Sequence, residues 1–217
     1  MKKINADVLS MIKTRPANSY KGTFGRIVLI GGNANFGGAI IMATMAAVYS
    51  GAGLVTTITD ESNQSSLHSQ VPEAMFQSIN ELNNAVDLIA SADVIVIGPG
   101  LGTDVNSVNV LKTVFTAVTS NQTLIIDGSA LTIIANGKIP LPKITTNVLT
   151  PHQMEWQRVV NIPIAEQNPE KNQRATDHLN AIVVVKSSRT QMYSPTEEPV
   201  ENTVGTPAQA TGGMGDT

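Results

Sequence analysis

Five short runs limit what this chain can fold into: Ile27–Ile30, Leu54–Thr59, Asp93–Ile97, Thr123–Ile126 and Ala181–Val185. Each is too short for a core helix, and most are dense in Ile, Val and Leu, as in strands covered on both faces. Between them lie segments of helical character: Gly38–Tyr49, rich in Ala and Met, then Val105–Thr119 with Asp104 placed to cap it, Ser129–Asn136, Met154–Val160 and Pro169–Leu179. Strands alternating with helices predict a layered α/β fold with a mostly parallel sheet, because each helical crossover returns the chain to the same end of the sheet. Weaker elements are expected around this frame. They are a short helix at Ala6–Lys13 ended by Pro16, helical patches at Asn63–Gln70 and Leu82–Ser91, and strands at Ala74–Ile79 and Asn147–Leu149. A polar hairpin at Gln191–Tyr193 and Pro199–Asn202 completes the reading.

The unusual residues fall at one place in this scheme. Gly31-Gly32, Gly98-Pro99-Gly100-Leu101-Gly102, Asp127, Thr150-Pro151-His152 and Lys186 each stand just past the C-terminal end of an expected strand. In open α/β sheets that edge is where ligands bind. Thr211-Gly212-Gly213-Met214-Gly215-Asp216 adds a sixth segment. Its glycines let backbone N–H groups turn inward as a nest for phosphate oxygens, and a carboxylate beside such a nest suits a base that takes a hydroxyl proton. Taken alone, each segment is also a plain turn; their shared position favours a site.

Individual residues keep alternatives open. Gly31–Gly38 lacks the G-x-G-x-x-G register, so a Rossmann NAD site is poorly supported, although the loop precedes a helix whose N-terminus favours an anion. Lys186 follows Val183-Val184-Val185 and needs a partner, either a phosphate or a structural carboxylate. Asp127 either caps the next helix or helps hold a hydrated Mg2+. His152 is placed to touch a substrate, and Glu155 to favour a helix N-terminus.

Composition removes other classes. The chain has 217 residues, 41% hydrophobic and 14% charged, enough for a sizeable core. A net charge of −3 argues against a nucleic-acid partner, which needs a basic face. With no cysteine there is no thiol nucleophile, disulfide or zinc–thiolate site, in keeping with a reducing cytoplasm. The N-terminus lacks the apolar stretch of a signal peptide, and Ala39–Val55 is short and interrupted for a membrane span, so no membrane partner is expected.

The ordered motifs resemble the ADP-dependent NAD(P)H-hydrate dehydratase family, a carbohydrate-kinase-like branch of the ribokinase-like superfamily. The resemblance rests on Lys21-Gly22-x-x-Gly25, Gly31-Gly32, Gly37-Gly38-Ala39, Gly98–Gly102, Leu149-Thr150-Pro151-His152-x-x-Glu155, Val185-Lys186 and Gly212–Asp216. It implies a ribokinase-like three-layer α/β/α fold in one domain over 1–217, with residues 1–20 as a lead-in. It implies a lyase that repairs the S epimer of hydrated NADH or NADPH, consuming ADP or ATP in the presence of Mg2+. Asp216 would be the catalytic base, with Gly213 and Gly215 cradling the transferred phosphoryl group. Ala39, Gly102, His152 and Asp216 would contact the hydrated dinucleotide. Lys186, Ser187, Ser188, Arg189, Thr190 and Gly215 would contact the adenine nucleotide. No metal ligand is assigned, and a cytoplasmic homo-oligomer, a tetramer among such relatives, is implied.

The chain departs from the family pattern at Gln153-Met154, where Pro-Gly is usual, at Asp127-Gly128-Ser129-Ala130, where a second acidic residue is lost, and at Ser187–Thr190, which lacks a usual Gly. Relatives also continue past Asp216 into helices, so the resemblance implies a chain apparently truncated at its C-terminus and weak or inactive alone. A small-molecule kinase of the same fold, acting on a vitamin precursor or sugar, and a non-catalytic nucleotide-binding relative remain open.

Overall fold

Val28, Leu29 and Ile30 leave no more than 1% of their surface exposed, so the first long strand is covered from both sides. The computed structural model describes residues 1–217. In chain order the strands are β1 (Lys2–Lys3), β2 (Arg26–Ile30), β3 (Leu54–Thr59), β4 (Met75–Ser78), β5 (Val94–Ile97), β6 (Thr123–Ile126), β7 (Thr146–Leu149), β8 (Ile182–Val185), β9 (Gln191–Tyr193) and β10 (Val200–Glu201). The helices are α1 (Gly37–Tyr49), α2 (Gln64–Gln70), α3 (Val86–Ala90), α4 (Val105–Ala117), α5 (Gly128–Gly137), α6 (Gln153–Val160) and α7 (Pro169–Leu179). All ten strands form one sheet in the order β1-β10-β9-β8-β7-β6-β5-β2-β3-β4. Every pairing from β8 through to β4 is parallel, and β9 lies antiparallel to both β8 and β10.

The strand sequence reverses between β2 and β5. The chain builds outward from β2 through β3 to β4, then crosses back to place β5 on the other side of β2. At such a reversal the loops leaving adjacent strands diverge and open a crevice at the carboxyl ends.

Alternation along the strands divides the core. Val28, Ile30, Ile95, Ile97, Leu124 and Ile126 point to a cluster of 25 buried residues that includes side chains from α3, α4, α5 and α6. Leu29 and Val55 point the other way, to a cluster of 8 with α1 and α2. The result is the expected three-layer arrangement with a mostly parallel sheet. α1 has Ile40, Ile41, Ala43 and Thr44 buried against this smaller core. Thr44 is accommodated because its hydroxyl bonds both Ile40 O and the Thr57 hydroxyl.

Local chemistry sets the helix starts. Asp104 accepts from Ser107 N at 2.8 Å, as the sequence predicts. Asn168 does the same for Lys171 N, with Pro169 as the first helical residue. Several parts were missed or shifted, among them the patch read as Leu82–Ser91, which is a 3₁₀ segment, Ile79–Ala85, running into α3. The N-terminal helix is a 3₁₀ segment, Ala6–Met11, shorter than the predicted Ala6–Lys13. β1 was not predicted at all: it is two lysines whose pairing with Val200–Glu201 is fixed by a partner 198 positions away in the register Lys2↔Val200.

A buried polar chain ties the second layer to the sheet. Trp156 Nε1–H donates to Asn172 Oδ1 at 2.9 Å, and Asn172 Nδ2 donates to the Tyr193 hydroxyl at 3.2 Å. This joins α6, α7 and β9. Asn172→Leu strands the Trp156 N–H in the core, so a loss of about 1–3 kcal/mol is expected in urea unfolding. An unchanged midpoint would show that the chain contributes nothing to stability.

Candidate active site

The parallel register carries five strand ends to one rim, and the loops there are joined to each other. Gly32 N donates to Pro99 O and Asn33 N to Gly100 O, each at 2.8 Å, so the loops after β2 and β5 extend the ladder beyond the strands. Lys186 N donates to Pro151 O at 2.7 Å, which does the same for the loops after β8 and β7. Gly98 has φ of +123°, and a side chain there would run into Asp127 O. Glycine is therefore required where the loop after β5 meets the end of β6.

Lys186 finds its partner in a carboxylate. Its Nζ lies 2.8 Å from Asp127 Oδ1, with Asp127 8% and Lys186 28% exposed. This bond spans the end of β7, which lies between β6 and β8. Asp127 stands at the N-cap position of α5 but makes no side-chain cap bond, so its carboxylate is turned to the rim and away from the capping role.

The terminal glycine segment closes over this pair. Asp216, Gly215 and Met214 line a cavity of about 420 Å3 together with Asp127, Lys186 and Thr150. A Cβ on Gly215 would sit 3.1 Å from Lys186 Nζ. Gly213 takes φ of +86°, with Met42 of α1 against it. Met214 N and Asp216 N bond back to Thr211 O and Gly213 O within the turn. The N–H groups of Gly212, Gly213 and Gly215 make no bond within the protein. Asp216 is half-buried, and its carboxyl is held above the ordinary carboxylate range. Burial is the main cause; Asp127 adds to it, and Lys186 opposes it.

The remaining predicted residues fall into three positions. Ala39, at the start of α1, has its Cβ 3.3 Å from the place a Gly100 Cβ would occupy. Gly102 donates its N–H to Ser129 Oγ at 3.1 Å. Ser129, where the family pattern has its second acidic residue, thus keeps an acceptor at that point. His152 caps α6: its Nδ1 accepts from Met154 N and Glu155 N, and Glu155 Oε2 accepts from His152 N. The imidazole is fixed by this box and half exposed beside Lys186, to which its backbone is bridged. Ser187, Ser188, Arg189 and Thr190 form a turn past Lys186, closed by Thr190 Oγ1 on Ser187 O at 3.0 Å. Arg189 ties that turn to Thr203 O.

Asn63 is a residue that motif reading missed. Its Nδ2 donates to Gly32 O at 3.0 Å and to Thr59 Oγ1 at 3.0 Å, clamping the glycine loop to β3. It lies on a segment read only as a helical patch, and nothing local marks an Asn whose partners are 4 and 31 positions away.

A family model described as NAD(P)H-hydrate dehydratase matches residues 27–217. The chain belongs to that family. An ADP-dependent (S)-NAD(P)H-hydrate dehydratase of Lactiplantibacillus plantarum is 54% identical over 219 aligned positions, which cover 100% of this chain and 78% of that protein. A solved ribokinase-like superfamily protein of Enterococcus faecalis is 46% identical with a TM-score of 0.96, over 99% of this chain and 76% of that one. The Bacillus subtilis ADP/ATP-dependent NAD(P)H-hydrate dehydratase, co-crystallized with ATP/Mg2+, is 28% identical with a TM-score of 0.79, over 94% and 72%. NAD(P)H-hydrate dehydratase family membership and the ribokinase-like fold thus agree with the residue pattern at the rim.

The electrostatics of this site give signed expectations. Asp127→Asn removes a negative neighbour and should lower the Asp216 pKa; Lys186→Met removes the opposing cation and should raise it. Titration of the Asp216 carboxyl followed by NMR reads both, and a pKa that does not move would disconnect Asp216 from the pair.

Proposed function

We propose that this chain restores the S epimer of hydrated NADH or NADPH to the reduced dinucleotide, consuming ADP or ATP and releasing phosphate. The observation that carries the reading is the half-buried Asp216 carboxyl, raised in pKa, beside Lys186 and the unbonded Gly212, Gly213 and Gly215 N–H groups. The named activity of the Lactiplantibacillus plantarum and other relatives supports it.

The chemistry needs a better leaving group than hydroxide. Asp216 takes the proton from the ring hydroxyl as its oxygen attacks the terminal phosphorus of the nucleotide, and the phosphoanhydride bond breaks to leave AMP when ADP is the donor. Loss of phosphate from that carbon, with a ring proton, then regenerates the double bond. A carboxyl raised above its usual range suits this base, since basicity grows with pKa. Gly213 and Gly215 would hold the transferred phosphoryl oxygens and Lys186 their charge. Ser187–Thr190 would hold the rest of the nucleotide, and Ala39, Gly102 and His152 the dinucleotide.

No group of three or more His, Asp or Glu gathers as a metal cage. Mg2+ in phosphoryl-transfer sites takes one or two carboxylates and relies on phosphate oxygens and water for the rest, which this rim can supply. Asp127 is the fitting ligand through Oδ2, which makes no bond within the protein, and the ion would supply charge neutralisation on the phosphates. We also take residues 1–217 as one domain, with residues 1–20 as its lead-in, working as a cytoplasmic homo-oligomer, a tetramer by resemblance. The single ten-stranded sheet supports the first statement. No helix is long and apolar enough to cross a membrane.

The test is recovery of nicotinamide absorbance from the S hydrate with ADP or ATP. Asp216→Asn should lose on the order of 10²–10⁴ in kcat while nucleotide binding by calorimetry persists. Full activity in Asp216→Asn, or a phosphorylated hydrate that accumulates with no return of the nicotinamide absorbance, would overturn the proposal.

A further inference from the structure

A second cleft of about 470 Å3 lies on the far side of the Gly98–Gly102 loop. Pro99 lines the cavity that holds Asp216, and Leu101 lines this one. Asn33 borders it too, and its amide nitrogen lies 2.8 Å from where a Gly102 Cβ would be. The cleft therefore begins where the proposed dinucleotide contact at Gly102 ends.

Its lining has a distinct chemistry. Asn33, Asn80, Asn83, Asn106 and Asn109 line it, beside apolar Ile79, Leu82 and Val110. Asn80, Asn83, Asn106 and Asn109 are exposed, and their carboxamides make no hydrogen bond within the protein. Neutral donor–acceptor groups on an apolar floor suit a heterocyclic base and ribose hydroxyls. Asp60 and Asp104 are the charged residues of the lining, and no Lys, Arg or His joins them. Each uses one oxygen, on Ser62 and Ser107 respectively, and leaves the other unbonded. Those bonds hold both carboxyls below the usual carboxylate range, so both are ionised at neutral pH.

A dinucleotide has a reacting half and a non-reacting half, and the second needs a place of its own. We infer that this cleft receives the adenosine half, and that Asp60 and Asp104 make the chain favour the NADH-derived substrate over the NADPH-derived one. The inference rests on the dehydratase reading for its ligand and extends it to a choice between ligands. A carboxylate accepts a hydrogen bond from a ribose 2′-hydroxyl, whereas a 2′-phosphate in the same place meets two negative charges and no cation. Specificity then comes from repulsion as much as from contact.

The test needs no turnover. NADH and NADPH are titrated into the full chain and followed by nicotinamide fluorescence. NADH is expected to bind about tenfold more tightly than NADPH, and the gap should shrink about threefold in Asp60→Asn or Asp104→Asn and nearly vanish in the double variant. Asparagine is as good a cap as aspartate, so the helix starts are kept and a folding defect does not confuse the result. Equal affinities in the unaltered chain, a gap untouched by the variants, or no binding of either dinucleotide overturns the inference. Hydrate recovery is measured separately. Equal recovery of both hydrates with no gap in binding removes the cleft assignment and leaves the dehydratase. A gap that closes in the variants without any hydrate recovery does the reverse.

Discussion

The parallel ladder from β8 to β4 is the constraint on which the site depends. A parallel pair must have the carboxyl ends of its strands on the same side, and each crossover helix returns the chain to the opposite edge. Five separate sequence segments are thereby delivered to one rim without any loop having to reach across the molecule. The bonds from Gly32 N to Pro99 O and from Lys186 N to Pro151 O continue the ladder past the strands. The rim loops inherit the rigidity of the sheet.

On that rim the charges are arranged as a set. Lys186 and Asp127 satisfy each other across the end of β7, so neither is an isolated charge in a half-buried place. Asp216 then stands near a pair whose net charge is close to zero. Burial raises its pKa, and the two neighbours pull in opposite directions. A lone lysine there would hold Asp216 ionised and weakly basic; a lone aspartate would drive it toward the neutral acid. The pair leaves desolvation as the leading influence on its pKa.

Much of this was legible along the chain. The Ile- and Val-rich runs gave β2, β3, β5, β6 and β8 to within a residue or two, since a strand buried on both faces has few other compositions. Gly98–Gly102 was readable because a close approach of two backbones demands glycine. Asp104 as a cap came out as local chemistry requires, whereas the capping box that His152 forms with Glu155 was not read, His152 having been placed only as a substrate contact. What could not be read involved distant partners. Asn63 looks like any surface amide until Gly32 O is brought to it, and Lys2–Lys3 become a strand only because Val200–Glu201 arrive alongside.

The residues themselves determined the class of fold, the edge on which the unusual residues gather, and the family, because periodicity and short motifs act over a few positions. Tertiary structure alone decided that Lys186 is neutralised by Asp127, 59 positions away, and that Asp127 is therefore turned from its helix. It also decided that Asp216 feels both, and that Asp60 and Asp104 share one cation-free cleft. Charges interact through space at a few ångströms, and the chain brings them that close only after the sheet has set its register.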